Sequence, residues 1–332
     1  MMQELAKVID NFKSRKILVL GDMMVDENVY GKANRISPEA PIPVVRVEKK
    51  EYRLGGAANV MTNILSLGGE VFGIGVVGTD YTSKILNELL EEKGIKFYLV
   101  AENSRPTTKK TRILARSQGG YHPIACRIDE EIDFPIEEKT AKKIIEYVKG
   151  IIDEIDCIIL SDYNKGVLNN SLSTRIIQLA NEKNKPVLVD PKPENISFFK
   201  NCTAITPNKE EASKITGIKY NGTKDLEKIG KALFEMLNPK YVIVTCGEDG
   251  IFIYNKEGTQ LVPTKAIEVI DVTGAGDTVI ATLALGLSSG VPVHDAAVIA
   301  NYAAGVVIAK VGTATLTQEE LKEYIITHPH NK

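Results

Sequence analysis

Long uncharged apolar runs are missing from this chain. No stretch approaches the ~20 residues needed to cross a bilayer, so a helical membrane protein is not expected. Cysteine and histidine are scarce, at four each. Cys126, Cys157, Cys202 and Cys246 contain no Cys-x-x-Cys pair and the histidines no His-Glu-x-x-His, which argues against a zinc site or a disulfide framework. Three of these cysteines sit in or beside apolar runs and read as buried free thiols. His328 and His330 fall at a frayed chain end, a poor place for a ligand. An excess of one charge is lacking too. A formal net charge of −2 provides no global basic field, so neither nucleic acid nor an anionic membrane is an expected partner. Residues 2–13 mix Glu4, Lys7, Asp10 and Lys13 with apolar positions and have no signal-peptide core, which makes the cytoplasm the expected location. There is no Gly-x-x-x-x-Gly-Lys-Ser/Thr, so no Walker-type NTPase, and no His-Arg-Asp or Asp-Phe-Gly of a protein kinase.

What is present is an alternation of short apolar runs with longer amphipathic stretches. Residues 17–20, 71–77, 157–160, 187–189, 204–206, 242–245 and 251–254 read as strands. Residues 84–93, 138–153, 171–183, 209–216, 224–236, 276–289 and 294–310 carry helical periodicity. Most of the strands are continuously apolar, as when helices cover both faces of a sheet. The expectation is an α/β protein with a doubly wound, mainly parallel sheet, and one domain over residues 1–332. Two regions break the rhythm. Residues 23–53, with Pro38, Pro41 and Pro43, and residues 105–128, with a turn at Gly119-Gly120, look like short strands with one wet face. They predict a small accessory sheet, serving as a lid over a site or as a dimer contact.

The strongest chemical signal is Asp271-Val-Thr-Gly274-Ala275-Gly276-Asp277-Thr278. A strand-like approach over residues 267–270 leads into a glycine-rich turn and then an apolar helix. Backbone N–H groups can converge there without side-chain interference, and the helix start adds partial positive charge, which together make an anion hole for phosphate oxygens. Asp277 falls in the first helical turn, where it is expected to stay ionised and act as a weak base. Phosphoryl transfer tolerates a weak base because its transition state is loose and the acceptor proton leaves late. The bland alternative is that Asp271 and Asp277 merely cap a strand–helix turn. A second glycine pattern, Gly73-Ile-Gly75-Val-Val-Gly78, formally fits the dinucleotide fingerprint. Its first two glycines lie inside an apolar run rather than in a turn opening a helix, so it reads as close packing.

The octapeptide resembles the C-terminal signature of the ribokinase-like (PfkB) carbohydrate kinases, and further marks of that family follow in order over residues 16–315. They are Gly21-Asp22-Met-Met-Val-Asp26, Leu54-Gly55-Gly56-Ala-Ala-Asn59, Val77-Gly-Thr-Asp80, Thr206-Pro-Asn208-Lys209-Glu210-Glu211, Thr245-Cys-Gly247-Glu-Asp-Gly250 and Ala300-Asn301. The resemblance implies that Asp277 is the base and that Gly274, Ala275 and Gly276 form the anion hole. It implies ATP and Mg²⁺ as cofactors, with Mg²⁺ near Asn208 and Glu211, and it leaves room for a monovalent cation. Lys209, Glu210, Thr245, Gly247, Asp271 and Asn301 would then lie on the nucleotide side. Asp22, Asp26, Gly55, Gly56, Asn59 and Asp190 would lie on the sugar side, together with Arg112, Lys165 and Lys192. For Asp22, Asp26 and Asn59 the competing role is turn capping, and for Asn208 and Glu211 a helix start.

Within the family, residues 35–41, 55–59, 161–166, 190–192 and 310–313 resemble the branch that phosphorylates O1 of D-glycero-β-D-manno-heptose 7-phosphate, on the route to ADP-heptose for lipopolysaccharide cores. Many members of that branch carry an adenylyltransferase domain with a His-x-Gly-His motif. His328-Pro-His330 is not that motif, so the adenylyl step is expected of another protein. A homodimer paired through the accessory sheets is also implied. The substrate's own phosphate needs cations, and the candidates are Arg35, Lys109, Arg112, Arg116, Arg127, Lys165 and Lys192. Lys165 and Lys192 stand out because both follow strand ends, where open α/β sheets bind ligands. Arg112, Arg116 and Arg127 could equally line the exposed face of the accessory sheet. Other acceptors of the same fold (ribose, fructose, fructose 1-phosphate, nucleosides) and a silent binding protein remain the alternatives.

Overall fold

Side chains along a strand alternate between its two faces, so a run with no polar position demands cover on both. The computed structural model, which describes residues 2–116, 123–264 and 269–328, shows this at once in β1 (Lys16–Gly21). Ile17 and Val19 belong to one buried cluster, Leu18 and Leu20 to the other. The remaining strands are β2 (Met23–Ile36), β3 (Pro43–Gly56), β4 (Glu70–Val77), β5 (Lys96–Ala101), β6 (Lys109–Arg116), β7 (Ile124–Glu130), β8 (Cys157–Ser161), β9 (Val187–Asp190), β10 (Ala204–Ile205), β11 (Tyr241–Thr245), β12 (Ile251–Asn255) and β13 (Gly258–Val262). The helices are α1 (Met2–Ile9), α2 (Ala57–Ser66), α3 (Tyr81–Glu92), α4 (Glu138–Ile151), α5 (Asn170–Glu182), α6 (Lys209–Thr216), α7 (Leu226–Leu237), α8 (Ala275–Ser288), α9 (Val293–Ile308) and α10 (Gln318–Thr327).

Among the described residues one sheet has nine strands in the order β13-β12-β11-β10-β9-β8-β1-β4-β5. It is parallel from β11 to β5, and β12 and β13 add an antiparallel edge. The chain leaves β1 toward β4 on one side and toward β8 on the other. The carboxyl end of β1 is therefore a topological switch point, the crevice where such sheets bind ligands.

All seven expected strands and all seven expected helices are present with small shifts of boundary. The approach to the glycine-rich loop differs. Ile267 and Glu268 lie outside the described residues, and Val269 and Ile270 form no strand; the N–H groups of Ile270 and Asp271 donate to the Ile308 carbonyl instead. Elements not anticipated are β5, β13, α1, α2 and α10. The second sheet, in the order β3-β2-β6-β7, occupies the two arrhythmic regions. Its first two strands are not short, however: each runs for 14 residues, and the antiparallel pairing continues to Gly55 and Gly56. The turn expected at Gly119-Gly120 lies outside the described residues. Gly73 and Gly75 sit inside β4 against Met61 and Met23, which is the close-packing role.

The switch point depends on a tight approach between β1 and β8, where Gly21 pairs with Ser161. A Cβ on Gly21 would lie 2.0 Å from the Ser161 carbonyl oxygen. Gly21→Ala must therefore push apart the two strand ends, at a cost of about 2–3 kcal/mol or more. Urea unfolding of the variant checks this, and an unchanged midpoint would contradict it.

Candidate active site

Three neighbouring strands end in carboxylates. Gly21, Ser161 and Asp190 are in register across β1, β8 and β9, so Asp22, Asp162 and Asp190 emerge side by side. Asp22 is buried, and both its oxygens are taken by backbone donors: Oδ2 accepts from Tyr163 N at 2.8 Å and Lys165 N at 3.1 Å, and Oδ1 accepts from Val167 N at 3.1 Å. That is the capping arrangement set against sugar binding above. Burial raises its pKa, and the three N–H groups work in the opposite direction. Asp162 does the same for the next loop, accepting from Asn164 N, Lys192 N and Asn195 Nδ2. Burial, then the nearby Asp22, push Asp162 up to about 6. The pair pins residues 163–167 and 192–195 over the sheet.

The glycine-rich loop stands opposite. Gly274, in the left-handed region at φ +83°, precedes α8, and Asp277 occupies the first turn of that helix. α8 is buried from Asp277 through Gly286, as its mostly apolar sequence requires. Two polar contacts set its rotation against α2. Asn59 Nδ2 donates to Asp277 Oδ2 at 2.6 Å, and one turn on, Thr278 Oγ1 donates to Asn63 Oδ1 at 2.8 Å. The other oxygen, Asp277 Oδ1, accepts from the Tyr163 hydroxyl at 2.7 Å. Asp277 is buried, and that burial raises its pKa, while Asn59, Tyr163 and Lys192 favour its charged form. The expectation that loop and helix start alone keep this carboxyl ionised needs correcting. Desolvation works against the charge, and side-chain donors from two other elements oppose it. Asp271 caps the loop: Oδ1 accepts from Thr273 N at 2.9 Å and Oδ2 from Gly312 N at 3.0 Å. These bonds, the Thr273 hydroxyl first, lower its pKa.

Beyond β10, Asn208 and Glu211 form a capping box at the start of α6, each side chain bonded to the other's backbone N–H. Glu211 also pairs with Lys192. Burial lowers the Lys192 pKa, but the Glu211, Asp190 and Asp162 carboxylates outweigh it and the net shift is upward. Asp190 moves well above the usual carboxylate range through burial, with Asp277, Glu211 and Asp162 adding to it and Lys192 opposing. The residues expected on the nucleotide side come together. Asn208 bridges to Thr245, Lys209 Nζ lies 5.5 Å from the centre of the Tyr220 ring, and the Thr264 hydroxyl lies within hydrogen-bond distance of both the Gly247 carbonyl (3.2 Å) and Asn301 Oδ1 (3.0 Å). Glu210, in the first turn of α6, points to solvent.

Gly55 and Gly56 end β3, and Gly56 precedes α2. Asp26 is buried on β2, where Oδ1 accepts from Arg112 Nη1 at 2.8 Å. Lys165 Nζ pairs with Glu131 at 2.8 Å. Other candidate cations are not gathered at the site. Lys109 is on the opposite face of β6, paired with Glu130 and Glu27; Arg116 pairs with Glu48; Arg127 binds Asp129 through two nitrogens; Arg35 is exposed at the far end of β2. Three residues central to the arrangement were not singled out beforehand, Tyr163, Asp162 and Asn63, and Thr278 was named only as the end of the glycine-rich run. Tyr163 and Asp162 lie in the quoted run 161–166, and that run was their only signal. Among the described residues no group of three or more Asp, Glu, His or Cys is arranged to hold a metal. Cys157, Cys202 and Cys246 are buried free thiols, as expected, and Cys126 is exposed.

Comparison with known proteins shows the family of the chain. Residues 14–320 match the model of the pfkB family carbohydrate kinases. Among curated proteins the chain is similar to the bifunctional protein HldE of Helicobacter hepaticus, 45% identical over 320 residues, 96% of this chain and 65% of that one. It is likewise similar to the bifunctional protein HldE of Nitratiruptor, 46% identical, with 93% and 64% covered. The chain thus spans about two-thirds of the length of these relatives, slightly less in both cases. Among solved structures, Escherichia coli phosphofructokinase-2 in complex with potassium superposes with a TM-score of 0.76 at 18% identity, covering 94% of this chain and 98% of that one. Arabidopsis thaliana ribokinase with ribose and ATP does so with 0.72 at 17%. At such identity these two establish the ribokinase-like fold alone.

The raised pKa of Asp162 has a consequence for stability. The folded state holds this proton more tightly than the unfolded chain, so its contribution is present below about pH 4 and is lost as pH rises through about 6. The magnitude is on the order of 2–3 kcal/mol. Asp162→Asn has no such proton to lose. The gap in unfolding free energy between wild type and Asp162→Asn should narrow by that amount from about pH 4 to about pH 7. A gap that stays constant with pH would contradict the assignment.

Proposed function

The chain belongs to the pfkB family of carbohydrate kinases, and we propose that it transfers the γ-phosphoryl group of ATP to O1 of D-glycero-β-D-manno-heptose 7-phosphate, giving the 1,7-bisphosphate. The observation that carries the reading is Asp277, buried at the start of α8 directly after Gly274–Gly276, with one donor on each oxygen. The heptose is favoured over other acceptors by residues 35–41, 161–166 and 190–192. The HldE likeness over nearly the whole chain adds support. The proposed setting is cytoplasmic synthesis of ADP-heptose for lipopolysaccharide, and among the described residues no helix is long and apolar enough to cross a membrane.

In this proposal the sugar sits between Asp26, Asn59 and Asp277. Its O1 hydroxyl donates to Asp277, displacing one of the two present donors, and Asp277 takes the proton as the O–P bond forms. The N–H groups of Gly274–Gly276 and the α8 N-terminus meet the charge on the transferring group's oxygens, and fixed dipoles in a dry site do this without reorganising. Lys192, held between Glu211 and the Tyr163 ring, places its charge over the same oxygens. Asp22 and Asp162 hold the Tyr163 and Lys192 loops and touch no substrate. Magnesium fits this site only through ATP and water, since both Glu211 oxygens are already engaged and the ion dehydrates reluctantly. Asn208 and Glu211 would hold its water shell, and the ion would neutralise phosphate charge.

A homodimer pairing through the second sheet is also proposed. The face of that sheet opposite Asp26 exposes Val47 (51%) and Ile128 (51%), apolar positions that a second copy would cover.

A coupled ADP-release assay across sugars and sugar phosphates tests the substrate. Good turnover of ribose, fructose or a nucleoside with none on the heptose phosphate would overturn it. Asp277→Asn should lower kcat by about 10²- to 10⁴-fold while ATP affinity is retained. Tyr163→Phe removes a donor that favours the ionised base. The acid limb of its kcat/KM profile should therefore move up by roughly one pH unit. A merely structural role for Tyr163 would lower activity without moving that limb.

A further inference from the structure

Register brings Asp26, Lys110 and Asp129 into one row across β2, β6 and β7, and Asn28, Arg112 and Arg127 into the next. Cross-strand partners share a face at about 5 Å spacing, so Lys110 lies on the face that carries Asp26, beside the sugar site. The cations around it are matched already: Arg112 by Asp26, Arg127 by Asp129 and Lys165 by Glu131. Lys110 is half-buried, and among the described residues no carboxylate lies within ion-pair distance of it. The charges it feels are Glu131 and Asp129 on one side and Lys165 and Arg127 on the other. A second group beside it is also unmatched. Glu131 Oε2 is buried with no hydrogen-bond partner, its other oxygen being taken by Lys165.

A half-buried lysine with no counter-ion and a buried carboxylate oxygen with no donor form an unfinished site. Each is costly to leave unmet. A ligand that offers an anion and a hydroxyl on neighbouring carbons would meet both, and a sugar phosphate ester has that chemistry. We propose that Lys110 anchors the substrate's own, non-reacting phosphate, with Glu131 Oε2 accepting a hydroxyl from the same end of the sugar. Asp26, paired with Lys110 in the same row, then lies beside this anchor. This rests on the sugar-phosphate reading above, and it assigns the specificity for a phosphorylated acceptor to a residue outside the family's signature segments. Lys110 does no chemistry, and its removal should be felt in binding.

The test compares heptose 7-phosphate with the unphosphorylated heptose by ADP release. Lys110→Met should raise KM for the phosphorylated sugar by about 30-fold or more. Its kcat and ATP KM should stay close to wild type, and turnover of the free heptose should not change. Lys110→Arg should restore most of the affinity. Lys32→Met, on the same face but farther along the sheet, should change nothing. An unchanged preference for the phosphorylated sugar in well-folded Lys110→Met overturns the anchor. If the wild type turns over neither heptose, the functional reading fails separately, and the anchor is then read by calorimetry with inorganic phosphate. Binding that is lost in Lys110→Met supports it, and no binding, or binding that survives the change, overturns it.

Discussion

A carboxylate taken out of water keeps its charge only while donors reach it, and at Asp277 those donors come from two other parts of the chain. Asn59 arrives on α2, after the second sheet has turned back at Gly55-Gly56, and Tyr163 arrives on the loop beyond β8. Much of the architecture can be read as support for these two bonds. α2 is locked to α8 by the Asn63–Thr278 contact one turn below, and the Tyr163 loop is drawn down by Asp22, itself held at the switch point by the close pairing of β1 and β8. The proposed base is thus placed by the packing of three elements more than by its own helix. A shift in any one removes a donor, and desolvation then favours the protonated form, which cannot accept a proton.

The same site concentrates negative charge before any phosphate enters. Asp162, Asp190 and Glu211 raise the pKa of Lys192, and Asp277, Glu211 and Asp162 add to the upward shift that burial gives Asp190. A bound nucleotide adds more anion. The design is workable because the positive elements are fixed in advance: the α8 N-terminus, the glycine N–H groups and Lys192 in its cradle. The second sheet continues this division of labour. One of its faces carries matched ion pairs with Lys110 left over; the other combines the Glu27, Lys50, Lys109 and Glu130 pairs with exposed Val47 and Ile128.

How much of this could be read from the residues alone depended on whether a feature is local. The continuous apolar strands announce a two-sided core, and the Asp271–Asp277 loop announces an anion site, because each is a run of adjacent residues obeying one rule. β5 escaped notice because Lys96-Phe-Tyr-Leu-Val-Ala is an edge strand with incomplete cover. α2 escaped because its start is set by Gly56 and its face by contacts with α8, 218 residues away in sequence at Asn59–Asp277. Asp22 looked like a sugar ligand because a short acid after a strand suits either role. Only the three backbone N–H groups converging on it, all from residues more than 140 positions later, decide for the structural one. The residues alone favour Lys109 as a phosphate cation over its neighbour Lys110, and only the register, which puts the two on opposite faces, brings Lys110 to the sugar side.

The measurement closest to the central claim is the identity of the product. Purified protein incubated with ATP and D-glycero-β-D-manno-heptose 7-phosphate can be followed by phosphorus–proton correlated NMR. The account predicts a second phosphate coupled to the anomeric proton, formed in step with ADP. A phosphate on any other carbon, or ADP release with no change in the sugar, would contradict it.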